Sequence, residues 1–457
     1  MPLILGTNSI KDTGFDIANS LRFDDGSSAY LHRSLGSQSS LRIGTFSYWV
    51  KRSSLGIGII YFNEVENDNN RGYIQFESDD TWRMVDNDAG GDHIVLKTNR
   101  LFRDFSSWYH ICVRIDTTQS TNTDRVRLYV NGVQETSFSS TTYPSQNDDL
   151  KIFQGGQTNK NNLGAGYPAS NYYDGYMAEF VYCDGQSLAP TSFGEFDEDS
   201  GIWKPIDVSG LTFGNNGFYL DFENASSLGA DVSGNGNNFT VNNLTSVDQS
   251  SDTCTNNFAT FNPLFVYGSS AISPSYSDGN LTAIFDNGSE NEHSPSTFAV
   301  SSGKWYAEFK WVSATGDGST HTGVLPADAN VSSDLNAQSY AYLGNGNKRL
   351  VNTASSYGAT YGSGDIISIA LNCDDNQITF YKNGASQGAL SIASNKSYFM
   401  YMSDYASSGN RSVDANFGTP ETSVSSGNTD GNGYGNFEYS VPSGYYSLNT
   451  KNLAEYG

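Results

Sequence analysis

Three short stretches hold the side chains best suited to chemistry. GAGYPASNYYDGY places Tyr167, Tyr172 and Tyr173 among small residues, and SSYGATYGSGD does the same for Tyr357 and Tyr361. A tyrosine ring on a loop can pack against the apolar face of a sugar while neighbouring Asn and Asp hydrogen-bond its hydroxyls, so these five tyrosines are candidate glycan-binding residues. The competing reading makes them anchors that fasten the loops to a sheet edge. In GADVSGNGNN, Asp231, Ser233 and Asn235 alternate with small residues, and such a loop can curl its oxygens onto a hard cation; calcium is the cofactor it would take. An Asn/Gly-rich turn explains the same pattern, and the bidentate Glu of an EF-hand is missing.

Acid–base chemistry finds less support. Glu195, Asp197 and Asp199 in GEFDEDSG have the period-two spacing that would put carboxylates on one face of a strand, as a glycoside hydrolase needs. They follow a turn sequence, LAPTSF, and lack flanking β-branched residues, so the expectation is a solvated acidic loop and no enzyme. The histidines (His32, His93, His110, His293 and His321) show no ligand spacing, and the cysteines form no paired motif. Cys112 in WYHICVRID alternates inward with Trp108 and His110, and a Cys183–Cys254 disulfide is left open. A Ser-His-Asp triad cannot be judged in so serine-rich a chain.

The elements that must position these residues are strands. RVRLYVNGV alternates Val126, Leu128 and Val130 with Arg125, Arg127 and Tyr129 before Asn131-Gly132, and QITFYKNGA alternates Ile378 and Phe380 with Thr379 and Tyr381 before Asn383-Gly384. Period-two alternation marks a half-buried strand, and Asn-Gly supplies the two positive-φ residues of a type I′ hairpin turn. With 47 glycines, 13% aromatic residues and turn signals every ten or so residues, the 457-residue chain is expected to be all-β. A formal charge of −24 argues against nucleic acid and anionic membranes as partners. The opening MPLILGTNSIKDTGFDIANSLRF lacks the basic and apolar regions of a signal peptide, and no run approaches the roughly 20 apolar residues of a membrane span, so conventional export and membrane insertion are not expected.

FSYWVKR, WYHICVRID beside LYVNG, and GYMAEFVYCDGQSL, in that order, resemble the LamG-like, concanavalin A-like jelly-roll family over roughly residues 20–200. GKWYAE (Gly303 to Glu308) and GDIISIALNCDDNQITFYKNG (Gly364 to Gly384) resemble the SPRY family over about residues 295–420. The resemblances imply two antiparallel β-sandwich (jelly-roll) domains in series. The expected divisions are an N-terminal anchor or extra strand (1–19), a LamG-like sandwich (20–205), an Asn/Gly-rich connecting β-element (206–270) and a SPRY-like sandwich (271–457). YSVPSGYYSLNTKNL is expected to add a last strand.

The order of the modules, with DTCTNNFATFNPL between them, resembles the multi-module virion proteins of marine tailed bacteriophages. That resemblance implies a fibre, tail-associated or capsid-decorating protein that assembles in the host cytoplasm. It would form homo-oligomers with other virion proteins as neighbours and bind host-surface glycan by multivalency. Leu3, Ile4 and Leu5 would then belong to a docking anchor. A purely structural virion component and a polysaccharide-degrading enzyme are the alternatives.

Overall fold

The structure is a computed structural model, and it describes residues 10, 12–65, 69–156, 160–267, 273–286, 291–405 and 410–457. Contacts gather into two units, Thr13–Thr255 and Asn256–Gly457. Each unit is an antiparallel β-sandwich, and the described elements are strands apart from 3-10 turns and one short helix.

In the first unit one sheet runs Val133–Gln134, Val126–Val130, Tyr109–Asp116, Ile43–Arg52, Gly175–Asp184, Ser20–Phe23 and Gln249–Ser250, with Phe218–Leu220 also paired to Gly175–Asp184. The facing sheet runs Phe138–Thr142, Gly91–Leu101, Thr81–Asp88, Arg71–Phe76, Gly58–Glu64, Asn161–Leu163, Tyr30–Arg33 and Thr240–Asn242. Phe46, Tyr48 and Val50 alternate into the core between them, beside Val126, Leu128 and Val130. The turn after Val130 carries φ of 48° at Asn131 and 76° at Gly132, as the type I′ geometry requires.

The expected connecting element at 206–270 is not separate. Phe218–Leu220, Thr240–Asn242 and Gln249–Ser250 add strands to the two sheets of the first unit. Phe218, Leu220, Phe222 and Phe239 enter its core, where they remove apolar surface that such short strands could not bury alone. From Asn256 onward the chain belongs to the second unit: Ala259 and Phe261 lie in that core. At the other end, Thr13–Asn19 is part of the first unit, with Ile17 buried beside Trp49, Trp108 and Trp203 and its N–H donating to Thr255 Oγ1 at 3.1 Å. Leu3, Ile4 and Leu5, the expected anchor, lie outside the described residues.

In the second unit one sheet is ordered Ser275–Ser277, Thr282–Phe285, Arg411–Asn416, Lys304–Ser313, Ile366–Asn372, Gln377–Lys382 and Ala385–Ser391. The other is ordered Glu292–Val300, Tyr398–Asp404, His321–Pro326, Tyr340–Leu343, Asn347–Leu350 and Thr353–Ser356. Ile367, Ile369, Leu371, Ile378 and Phe380 fill the core between them, and Asn383 and Gly384 have φ of 48° and 78°. The expected last strand exists as Tyr446–Ser447, parallel to Lys304–Ser313, and it leads into a helix, Thr450–Tyr456. Asn449 caps that helix by accepting the Asn452 N–H at 2.9 Å, the side-chain cap that short helices need most.

Candidate functional site

An outward-facing aromatic group in the first unit is set by strand alternation. In Tyr30–Arg33, Leu31 and Arg33 point to the core while Tyr30 and His32 stand half-exposed on the outer face. Cross-strand register adds Asn162 and Thr240 opposite His32, and Asn242 opposite Tyr30. Asn242 Nδ2 donates to His32 Nδ1 at 2.7 Å, which fixes the proton on Nε2 and leaves that N–H as a donor. Burial lowers the His32 pKa, which favours the uncharged ring. Tyr172 comes to Tyr30 with ring centroids 6.2 Å apart, and Tyr30 and His32 are 5.9 Å apart.

Tyr172 is held there by its neighbour. Tyr173 is 1% exposed, packs edge-on against Phe23 and donates its hydroxyl to the Lys51 carbonyl at 2.9 Å. It therefore anchors the loop and cannot touch a ligand, which corrects its candidacy. Backbone bonds from Tyr173 N to Gly164 O and from Gly166 N to Ser170 O, both 2.8 Å, close the loop. Tyr167 lies on the same loop, 37% exposed, with the Lys160 ammonium 5.2 Å from its ring centre.

The second unit repeats the loop chemistry with a different result. Tyr361 is 2% exposed and donates to the Tyr342 carbonyl at 2.9 Å, so it too is an anchor and not a binding residue. Tyr357 is half-buried, edge-on to Tyr342 and Phe380, and its hydroxyl bonds the Gly388 carbonyl.

In the expected calcium loop the carboxylate of Asp231 is already engaged. Asp231 Oδ1 accepts from the N–H groups of Tyr219 and Ser233, both at 2.9 Å, and Oδ2 from Ser233 Oγ at 2.9 Å and Asn237 N at 2.7 Å. Asn235 turns its amide N–H donors to the carbonyls of Gly214 and Gly217. These residues make a hydrogen-bonded Asn/Gly turn, and a metal taking Asp231 would have to displace protein donors from its carboxylate.

Glu195 lies on one strand of a two-stranded hairpin, Gly194–Phe196 with Trp203–Pro205, while Asp197 and Asp199 fall in the turn between the strands. Glu195 and Asp199 are exposed, as a solvated acidic segment requires, and Lys204 Nζ sits 3.4 Å from Glu195 and 3.3 Å from Asp197. That hairpin covers the outer face of the first sheet. Cys112 is buried there, beneath Phe193, Val208 and Phe213, and not in the main core, because Ile111 and Val113 take the inward positions. His110 meets Ser47 on the same face, Nε2 to Oγ 2.9 Å. Trp203 Nε1–H, which can only donate, bonds His110 Nδ1 at 3.0 Å, so the imidazole proton sits on Nε2 and points at the serine. A histidine that donates to a serine cannot take its proton, and this pair is no nucleophile and base. Cys183 and Cys254 are free thiols.

One buried acid gave no sequence signal. Glu179 sits at a register shift in Gly175–Asp184 with φ of +50° and is 7% exposed. Burial pushes its carboxyl up to about 8 even though Tyr219 donates to it at 2.6 Å. The space beside it, about 10 Å³, holds a water at most.

With this geometry established, comparison with known proteins divides the chain as the contacts do. Residues 24–185 match the family model described as the Concanavalin A-like lectin/glucanases superfamily, and residues 304–420 match the SPRY domain model. The chain carries a LamG-like module followed by a SPRY module. Among solved structures, the SPRY domain of human HERC1 aligns at 19% identity over 30% of this chain and 87% of its own, with a TM-score of 0.27. A Bacteroides ovatus protein provisionally described as carbohydrate-binding aligns at 12% identity over 50% of this chain and 60% of its own, TM-score 0.36. A heptameric SAP-like pentraxin from Limulus polyphemus aligns at 15% identity over 38% and 80%, TM-score 0.29. A search of curated proteins returns no match.

Proposed function

We propose that the protein is a carbohydrate-binding surface component of a tailed-bacteriophage particle, and that Tyr30, His32, Tyr172 and Asn242 form its sugar contact. The observation that carries this reading is the paired tyrosine rings beside a neutral imidazole N–H donor. Rings supply the apolar platform that a pyranose needs, and the imidazole supplies a directional donor for a hydroxyl. The absence of charge on that histidine favours a neutral sugar. Such a shallow site binds weakly, so the reading includes assembly into homo-oligomers whose copies act together. The virion setting rests on the order of the two modules, which resembles phage surface proteins, and on a net charge of −24 that repels nucleic acid and anionic membranes.

A glycan array probed with the full chain tests the binding. The expected result is retention of a restricted set of neutral glycans by the native chain and its loss in Tyr30→Ala/Tyr172→Ala. Equal retention by the double variant would sink the site. Antibody labelling of purified particles tests the setting separately. A purely structural role is the second reading, favoured by the SPRY match over residues 304–420, since modules resembling SPRY often recognise proteins. An array without any bound glycan, together with labelled particles, would establish it. The polysaccharide-degrading alternative fits least, because Lys204 pairs with both Glu195 and Asp197 and the Ser47–His110 pair has the wrong tautomer.

A further inference from the structure

The outer face of the first sheet buries a lysine against a carboxylate. Lys51 stands two residues after Trp49 on the strand Ile43–Arg52, and strand alternation puts both side chains on that outer side. Asp252 comes from the far end of the first unit, two residues beyond the strand Gln249–Ser250. Lys51 Nζ lies 2.7 Å from Asp252 Oδ2, and the two side chains are 1% and 0% exposed. Among the described residues no other lysine–carboxylate pair is buried on both sides; Lys160–Glu64, for instance, leaves its lysine 19% exposed.

Both partners are held in place. Asp252 Oδ1 accepts the Trp108 Nε1–H at 3.1 Å. The Asp252 backbone is fixed as well, its carbonyl accepting from Ser20 Oγ at 2.6 Å and its N–H donating to Ser250 Oγ at 3.1 Å. The Tyr176 ring lies 5.5 Å from Lys51 Nζ, and Ile17, Trp49 and Ala178 pack with Trp108 and Tyr176 into an apolar cover. Two opposite charges kept out of water are costly to hold, whereas a neutral, hydrogen-bonded amide is far less so. A desolvated amine fixed against a carboxyl has also met the entropy cost of bringing the reactants together.

We propose that Lys51 and Asp252 condense into an intramolecular isopeptide bond, a covalent modification that the chain performs on itself. The atoms balance within the pair. One ammonium proton passes to Oδ2, the freed lone pair of Nζ attacks Cγ, and the charge that develops on Oδ1 meets the Trp108 N–H. The Cγ–Oδ2 bond then breaks, a second nitrogen proton leaves with that hydroxyl as water, and the third stays on the amide. No oxidant, reductant or cofactor takes part. The bond joins positions 201 residues apart and fastens the end of the first unit to a strand inside its first sheet. It does not depend on the sugar patch or on the virion setting.

Mass spectrometry of the denatured full chain, followed by tryptic peptide mapping, tests the bond. The native chain is expected to weigh one water less than its sequence. Its digest is expected to contain a branched peptide that joins the Lys51 and Asp252 segments, with no cleavage after Lys51. Lys51→Met and Asp252→Ala are each expected at full sequence mass. The proposal is overturned if the native chain has its full mass and yields separate Lys51 and Asp252 peptides. It is equally overturned if the missing water persists in Lys51→Met, which would assign the loss to a succinimide at an Asp-Gly step. The branched peptide is read from the native chain, so the test stands even where a variant fails to fold.

Discussion

The loops around Tyr172–Tyr173 and Tyr357–Tyr361 contain the same ingredients and reach opposite outcomes. Each buries one tyrosine whose hydroxyl donates to a strand carbonyl, Lys51 for Tyr173 and Tyr342 for Tyr361. Each leaves another tyrosine half-exposed. Among the described residues Tyr172 bonds only the Ala169 carbonyl of its own loop and turns its ring to Tyr30, while Tyr357 spends its hydroxyl on Gly388 and rests edge-on upon Tyr342 and Phe380. An aromatic loop becomes a recognition surface when its exposed ring leans on other exposed rings, and it becomes part of the fold when the ring leans on the core.

The largest expected effect separates anchor from platform. Tyr173→Ala and Tyr361→Ala should each cost about 3–5 kcal/mol in denaturant unfolding, the range for emptying a buried aromatic site. Tyr172→Ala should cost less than about 1 kcal/mol, as for a surface side chain. A loss at Tyr172 as large as that at Tyr173 would break the distinction.

The next effect concerns ligand. Tyr30→Ala/Tyr172→Ala should reduce glycan binding by more than about tenfold, which corresponds to about 1.4 kcal/mol, with the unfolding midpoint little changed. Tyr357→Ala should leave glycan binding intact and lower stability modestly. Surface-immobilised protein read against soluble oligosaccharide decides between them. If Tyr357→Ala also abolishes retention, the second loop is a sugar site after all.

A smaller effect distinguishes the units by pH. Burial raises the Glu179 carboxyl from 4.5 to about 8 in the first unit, and the Asp404 carboxyl from 3.8 to about 6 in the second. Raised acids hold protons that the unfolded chain has released, so each contributes stability that is full below its ordinary value and lost as pH climbs to the folded one. Glu179→Gln should therefore flatten the decline in stability between pH 4.5 and 8, while Asp404→Asn should act between pH 3.8 and 6. Asp86 and Asp174, both raised to about 7 by burial, keep part of the slope in the first unit. Thermal midpoints across a pH series read these windows; a Glu179→Gln profile parallel to the native one would remove Glu179 from the account.

What could be read from sequence was local. Asn131-Gly132 and Asn383-Gly384 specify their turns within two residues, and Val126, Leu128 and Val130 reveal their buried face by alternation alone. The sugar patch was half legible. Tyr167 and Tyr172 stand out among small residues, but Tyr30 and His32 gain meaning only when Asn242 pairs with a strand some two hundred residues earlier in the chain, and no local pattern encodes such a pairing. Tyr172 and Tyr173 are adjacent and chemically identical, so composition could not say which points inward. The outer cover was missed for a related reason: Cys112 and His110 read as core because they are buried, yet His110 is covered by Trp203 of the 194–205 hairpin and Cys112 by the flanking Phe193, Val208 and Phe213. The closing helix is seven residues long and too short to show a helical period.

The smallest expected effect is none, at the Asp231 turn. Calcium binding would require Asp231 to surrender the N–H groups of Tyr219, Ser233 and Asn237 and the Ser233 hydroxyl, leaving buried or half-buried donors unsatisfied. Added calcium should therefore leave the thermal midpoint unchanged, and a chelator should do the same. Asp231→Asn, in contrast, keeps the shape but weakens the charge-assisted bonds that hold Tyr219 and Asn237, and should lower the midpoint with or without calcium. A midpoint that rises with calcium in the native chain and not in Asp231→Asn would show that the turn opens for the ion, and that its saturated hydrogen bonds are a closed state and not the whole function of the loop.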